Sequence, residues 1–184
     1  MIRSVATIAV VVTLFSCGDN YDEIRQFNQS DYAPIAEGRE VNLKYTDSGK
    51  MVANLLTPRL LDFSNYAFGF SEYPDGVEVH FWDEEGNKSV ITSDYGVQYD
   101  KTNLTDLRGN VVLRTSDSLE LYADQLYWNQ ESQWLFTDRP YTIKFKDGSS
   151  NEGAGFDSNE DFNIFLSRSN VGVQYVDDNS DTDE

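Results

Sequence analysis

From Val41 onward, apolar and polar residues trade places at every second position, and this alternation limits the fold more than any other feature. Val77, Val79 and Phe81 interleave with Glu78, His80 and Trp82. Leu119, Leu121 and Ala123 interleave with Glu120, Tyr122 and Asp124, and Tyr141, Ile143 and Phe145 with Thr142, Lys144 and Lys146. Ile164 and Leu166 flank Phe165, and Val171, Val173 and Tyr175 follow. Period two with one apolar face describes strands buried on one side. Asp, Asn, Gly and Ser clusters such as "TDSGK", "YPDG", "DEEGN" and "KDGS" separate the runs and supply turns. No stretch of this region has a helical period, so the expectation is an all-β domain.

The alternation also repeats on a larger scale. "LRGNVVL" at 107–113 returns as "TDRPYTI" at 137–143 and "SRSNVGV" at 167–173, a step of thirty residues each time. Leu104, Trp134 and Ile164 fall at matched positions; so do Val111, Tyr141 and Val171, and Leu113, Ile143 and Val173. A unit of two strands and two turns cannot bury its own apolar face, but stacked units can. Val41 to Leu55 and Leu60 to Phe81 keep the rhythm without the fixed step. The expected product is a stack of antiparallel hairpins in two facing sheets around one apolar interior. Its two ends would each carry an unpaired strand, to be blunted or used for docking.

The N-terminus is of another kind. Arg3 precedes an apolar run from Val5 to Phe15, eleven residues, too short to cross a hydrocarbon layer of ~30 Å as a helix. It ends in "LFSC" followed by Gly18, which is similar to a bacterial lipobox, where cleavage falls before the cysteine and its thiol takes the lipid. Cys17 is the sole cysteine, so no disulfide can form within the chain. A plain secretory signal with an incidental cysteine is the other reading. The expected organisation is a signal peptide over 1–16, a lipid-anchored polar tether over 17–38, the β domain over 39–176 and an acidic flexible tail over 177–184.

Charge narrows the partners. There are 14 Lys and Arg against 32 Asp and Glu, a net of -18, and loss of Arg3 with the signal makes it -19. So acidic a chain repels phosphates, which excludes nonspecific nucleic-acid binding. Catalytic signals are equally scarce. His80, the single histidine, is placed on the outward side of its strand, and no Ser/His/Asp set can be built on it. Asp83, Glu84 and Glu85 sit in a turn and read as solvated. No phosphate-binding Gly-rich motif is present, so any ATP hydrolysis belongs to a partner. The reading contains no catalytic residue, no metal and no cofactor.

Several phrases together resemble the LptC family: "VNLKYTDSGK", "YPDGVEVHFWDEEGNKSVITSDYGVQYD", "LRGNVVL", "LYADQLYWNQE", "FTDRPYTI" and "EGAGFDSNEDF". With the lipobox ahead of them they resemble its lipoprotein form, and the similarity runs from about Val41 to Val173. The resemblance implies a twisted OstA-like β-jellyroll, an open two-sheet stack. It implies a periplasmic component that receives lipopolysaccharide from an inner-membrane ABC transporter and passes it to an LptA-type bridge of jellyrolls. Many relatives carry a single transmembrane helix where this chain has the lipobox, so the anchor here would be lipid; the transporter role implies the inner membrane, while Gly18 and Asp19 after the cysteine leave the choice of membrane open.

On that reading the inward residues line a groove for acyl chains: Val79, Phe81, Val111, Leu113, Leu119, Leu121, Ile143, Phe145, Ile164 and Leu166. Periodicity alone favours a closed β-sandwich core, and it is the resemblance that turns the reading to a groove. Gly153 and Gly155 resemble the family's Gly-x-Gly near the last strands and are expected to shape the edge that docks the bridge protein; a plain hairpin turn is the other reading. A second functional class is a lipid-anchored carbohydrate-binding module, with Trp82, Trp128 and Trp134 as a stacking platform on an outer face.

Overall fold

The computed structural model describes residues 33–175 apart from Glu84 and Asp161, and every described element is a strand. The segments expected to be signal peptide and acidic tail, Cys17 and most of the expected tether lie outside the described residues. Fourteen strands follow one another: β1 (Ala36–Asp47), β2 (Lys50–Asp62), β3 (Phe70–Tyr73), β4 (Val77–Trp82), β5 (Lys88–Ser93), β6 (Tyr95–Tyr99) and β7 (Leu104–Arg114). Then come β8 (Glu120–Asn129), β9 (Trp134–Thr137), β10 (Tyr141–Lys144), β11 (Ser150–Gly153), β12 (Gly155–Asn159), β13 (Phe165–Arg168) and β14 (Val171–Val173). All pairings are antiparallel. β1 begins at Ala36, inside the stretch expected to be tether.

The strands form two layers, because the long ones run through both. β7 pairs β6 through Leu104–Arg108 and β5 through Val112–Arg114. β8 pairs β10 through Glu120–Ala123 and β9 through Tyr127–Asn129. One layer therefore holds β3, β6, β9, β12 and β13, and the other holds β4, β5, β10, β11 and β14. The chain crosses between layers at a line of irregularities. In β7 the register slips between Arg108 and Val111, where Gly109 and Asn110 adopt positive φ of 74° and 45°. A Cβ at 109 would also lie 3.0 Å from the Asp94 carboxylate, so position 109 requires glycine on both counts. Asn110 Nδ2 donates to Asp94 Oδ2 at 2.6 Å and pins the crossing. Elsewhere the same crossing is made by Asp138–Pro140, Ala154 and Ser169–Asn170 between successive strands.

Every second residue meets its counterpart between the layers. Leu113, Leu121 and Ile143 sit opposite one another in register and are fully buried. Leu55, Val77, Val79, Ile91, Leu107, Leu126, Leu135, Tyr141 and Phe156 extend the same cluster. Burying each large apolar side chain stabilises by ~1.5–3 kcal/mol before chain entropy is charged against it.

The thirty-residue repeat holds in two units and breaks in the third. Val111 and Tyr141 both pair with Ala123, and Leu113 and Ile143 both pair with Leu121. β14, however, pairs Val171 with Glu152 and Val173 with Ser150, rows that belong to Thr142 and Lys144. A slip of one residue turns the strand over. Val171 and Val173 consequently face outward, and Gly172 takes the inner position.

Candidate functional site

Of the ten expected groove residues, six are core. Val79, Val111, Leu113, Leu119, Leu121 and Ile143 are buried within one packed cluster. Phe81 is half-buried against it, its ring 5.6 Å from that of Trp128 across the two layers. Phe145 follows the inward row of Tyr141 and Ile143 but lies past the end of β10 and is exposed.

Ile164 and Leu166 do not belong to the interior. β13 pairs Ser158 with Phe165 and Phe156 with Ser167, and both β12 residues are fully buried, so Phe165 and Ser167 point inward. Ile164 and Leu166 face solvent at 54% and 63% exposure. The phase of this strand is set by its partner, and Phe165 packs against Tyr141 and Phe156.

The two ends of the stack differ from its middle. At the N-terminal end, Val41, Leu43 and Tyr45 pair with Thr57, Leu55 and Ala53 and continue the inner rows of Leu55 and Val79. No described strand lies beyond β1, and Leu43, Tyr45 and Met51 stay exposed. Burial still pushes the Tyr45 phenol up, and burial pushes that of Tyr73 up further, with Tyr45 and Asp100 adding repulsion. These three N-terminal residues were missing from the sequence-based groove, although the Val41-Leu43-Tyr45 alternation carried the signal.

At the C-terminal end the inner face of β11 and β14 is Asn151, Gly153 and Gly172 rather than large apolar residues. Beside them opens a depression of about 460 Å³ lined in part by Phe145, Asn151, Phe165 and Gly172. On the outside of the same end, Ile164, Leu166, Val171, Val173 and Tyr175 are all exposed, on the last strands of both layers and just beyond them.

Gly153 and Gly155 are one strand inside the edge instead of on it. β11 lies between β10 and β14, and β12 between β9 and β13. The two glycines flank Ala154, where the chain passes from one layer to the other. A Cβ at 153 would meet the Tyr141 ring at 2.8 Å, and one at 155 the Thr137 carbonyl at 2.8 Å. Close packing at this crossing explains both residues.

The tryptophans make no common platform. Trp128 is buried with Nε1 donating to Glu160 at 2.5 Å, while Trp82 and Trp134 sit on strands of different layers. His80 is half-buried, hydrogen-bonded to the Glu78 carboxylate and edge-on to Trp82. Asp83 accepts from the side chain and backbone of Asn87, which hold its carboxyl below the usual range, as a turn carboxylate does.

The family model described as "Lipopolysaccharide-assembly, LptC-related" matches residues 8–176. The chain belongs to the LptC family. No curated protein matches it at a significant level. LptC proteins are non-enzymatic, periplasmic, envelope-associated components of lipopolysaccharide transport, and this chain takes that role within the Lpt machinery. The all-β stack described above is the LptC jellyroll. LptC membership does not favour the carbohydrate-binding alternative.

Proposed function

We propose that this LptC-family protein is tethered through acylated Cys17 to the inner membrane and holds lipopolysaccharide acyl chains between its two layers. It takes the lipid from the inner-membrane ABC transporter and hands it to an LptA-type bridge jellyroll docked on the C-terminal edge. The observation that carries this reading is an apolar interior continuing to β1, beyond which no described strand pairs, and where Leu43, Tyr45 and Met51 are exposed among the described residues. A closed sandwich has no use for an inner face left open at the end where a donor would dock.

The packed middle is compatible with a lipid guest. An acyl chain replaces the Leu113, Leu121 and Ile143 contacts with methylene contacts of the same kind, so the layers part without losing apolar burial. A ten-carbon stretch, at ~0.8 kcal/mol per methylene, contributes up to ~8 kcal/mol. Repulsion between an acidic domain and lipid phosphates opposes this, but exposed charges more than ~8 Å apart are largely screened at physiological salt. The apolar term wins when the phosphates ride outside the layers.

Docking of the next jellyroll at β13 and β14 is supported by their edges, which no other described strand pairs, and by the exposed Val171, Val173, Ile164 and Leu166 beside them. The test is site-specific photocrosslinking to lipopolysaccharide from Ile143, with outward Lys144 as control. Labelling at Ile143 and not at Lys144 is expected. Labelling at neither, in a folded domain, overturns the acyl-chain reading.

A further inference from the structure

We infer that Phe81 and Trp128 form a clasp across a lateral mouth between the two layers, and that a lipid moving along the interior parts these two rings as it passes. The inference rests on the acyl-chain reading above and assigns positioning residues to the path of the same substrate.

The mouth follows from the topology. β1, β2, β7 and β8 run through both layers at the crossing line, and 74–76, Asp94, 138–140, Ala154 and 169–170 pass across it. The opposite side carries turns that each join strands of one layer. The β2–β3, β6–β7, β8–β9 and β12–β13 turns lie in the first layer, that of β3 and β12. The β4–β5, β7–β8 and β10–β11 turns lie in the second. A lipid with its chains inside and its phosphates outside carries its linkage through one side or the other. Backbone obstructs the crossing side in each unit, so the linkage runs between the two rows of turns.

The clasp stands in that gap. Phe81 is the last inward residue of β4 before the turn at 83–87, and Trp128 the last of β8 before the turn at 130–133. Their rings meet across the layers at 5.6 Å; on the crossing side Tyr141 and Phe156 make the corresponding contact at 4.9 Å. Trp128 is buried, yet its Nε1 donates to Glu160 Oε1 at 2.5 Å in the β12–β13 turn. An indole with its body in the apolar interior and its N–H at the polar rim marks the depth at which hydrocarbon ends. Phe81, half-buried, faces it from the other layer.

The two lips of the mouth are built differently. The first-layer turns are joined in series: the Asp100 N–H donates to the Gly69 carbonyl at 3.2 Å, Gln130 to Asn103 at 3.0 Å and Glu160 to Gln133 at 3.1 Å. Trp128 is thus fastened to a continuous rim. The second-layer turns close on themselves, Asp83 donating to Asn87, Thr115 to Leu119 and Phe145 to Ser149. Phe81 rides on the first of these, so the rings part by displacement of the second-layer lip. The Trp128–Glu160 bond lies within the first layer and survives the parting. Methylenes take the place of the lost ring contact, so passage exchanges one apolar contact for another.

The test uses the full acylated chain in proteoliposomes supplied with lipopolysaccharide, with photocrosslinking probes at Leu55 and, separately, at Ile143. β4 lies between the strands that carry these probes. Phe81→Cys combined with Trp128→Cys is bridged by a short bis-maleimide or, as control, capped with N-ethylmaleimide. Leu55 labelling should persist in both forms, and Ile143 labelling should fall several-fold in the bridged form alone. Equal Ile143 labelling in the two forms overturns the clasp and leaves the acyl-chain reading standing. Where the double variant does not fold or bridge, Glu160 decides. Glu160→Ala frees the indole and should speed the appearance of Ile143 labelling several-fold with the same final extent. Glu160→Gln, which still accepts the indole bond, should keep the parent rate. A merely structural Glu160 would lower labelling at both positions; that result, or an unchanged rate in Glu160→Ala, overturns the clasp. Absence of labelling at both positions in the parent chain removes the acyl-chain reading and the clasp with it.

Discussion

Gly155 shows how tightly the crossings between layers are built. Its missing Cβ would sit 2.8 Å from the Thr137 carbonyl and 3.4 Å from the Asp138 backbone, neither of which can swing aside. Gly155→Ala is expected to cost ~1–3 kcal/mol, the usual penalty for overpacking, read as a lower urea midpoint with an unchanged slope. Glu152→Ala, at an exposed neighbouring position, should stay within ~0.5 kcal/mol. Tyr95 offers a pH test at the same scale. Burial, then its hydrogen bond to Glu72 at 2.6 Å, push this phenol up to about 12, with Arg108 pulling the other way. A phenol raised on folding stabilises the fold fully below the unfolded value of ~10, and that contribution is lost as pH climbs through the folded value. The urea midpoint of the parent should thus exceed that of Tyr95→Phe by a constant amount up to about pH 10 and converge on it by about pH 12. A difference that already shrinks between neutrality and pH 9 would assign the effect to another group.

The last two strands show where a sequence stops being legible. Alternation gave the facing correctly for Val77–Trp82, Leu119–Asp124 and Tyr141–Lys144, because each run keeps its Val, Leu and Ile residues on one parity. Around Phe165 both parities are apolar, so the pattern is silent, and pairing with β12 decides it. In β14 the thirty-residue match was genuine as a string but not as a register: one residue of slip against β11 sends Val171 and Val173 outward. The reversal has a consequence for stability. Val171→Lys and Val173→Lys remove no core contact and should change stability by less than ~0.5 kcal/mol. Ile143→Ala, at the matched position of the preceding unit, should cost ~2–5 kcal/mol. Those lysines should nonetheless abolish capture of an LptA-type jellyroll in a pull-down, since they place charge on the edge proposed to pair with it. Unchanged capture would move the docking site to the other end of the stack. The interior was readable because burial forces a period. The ends were not, because exposure at an edge depends on which strand comes last.

Over the whole molecule, the net charge of -18 and the apolar interior pull oppositely on a lipid that carries phosphates. Their balance sets the salt dependence of binding. A site that held lipopolysaccharide through basic side chains would weaken steeply as salt rises, as counterion-release binding does. Three of the arginines are already engaged, Arg108 by Asp106, Arg114 by Glu120 and Arg168 by Asp138, each carboxylate within about 3 Å, and acidic residues outnumber basic ones 32 to 14. Salt is therefore expected to act chiefly on the long-range repulsion from the net charge. Raising it from ~50 mM to ~500 mM shortens the screening length from above 10 Å to below 5 Å and removes a penalty, not an attraction. Affinity for lipopolysaccharide micelles, followed by tryptophan emission as Trp128 senses the parting of the layers, is expected to rise modestly or hold level over that range. A fall of tenfold or more, the ~1.4 kcal/mol equivalent of one lost ion pair to phosphate, would place the lipid on the outer charged faces and empty the interior of its role. The direction of that slope thus separates a protein that grips the lipid by its hydrocarbon from one that grips it by its headgroup.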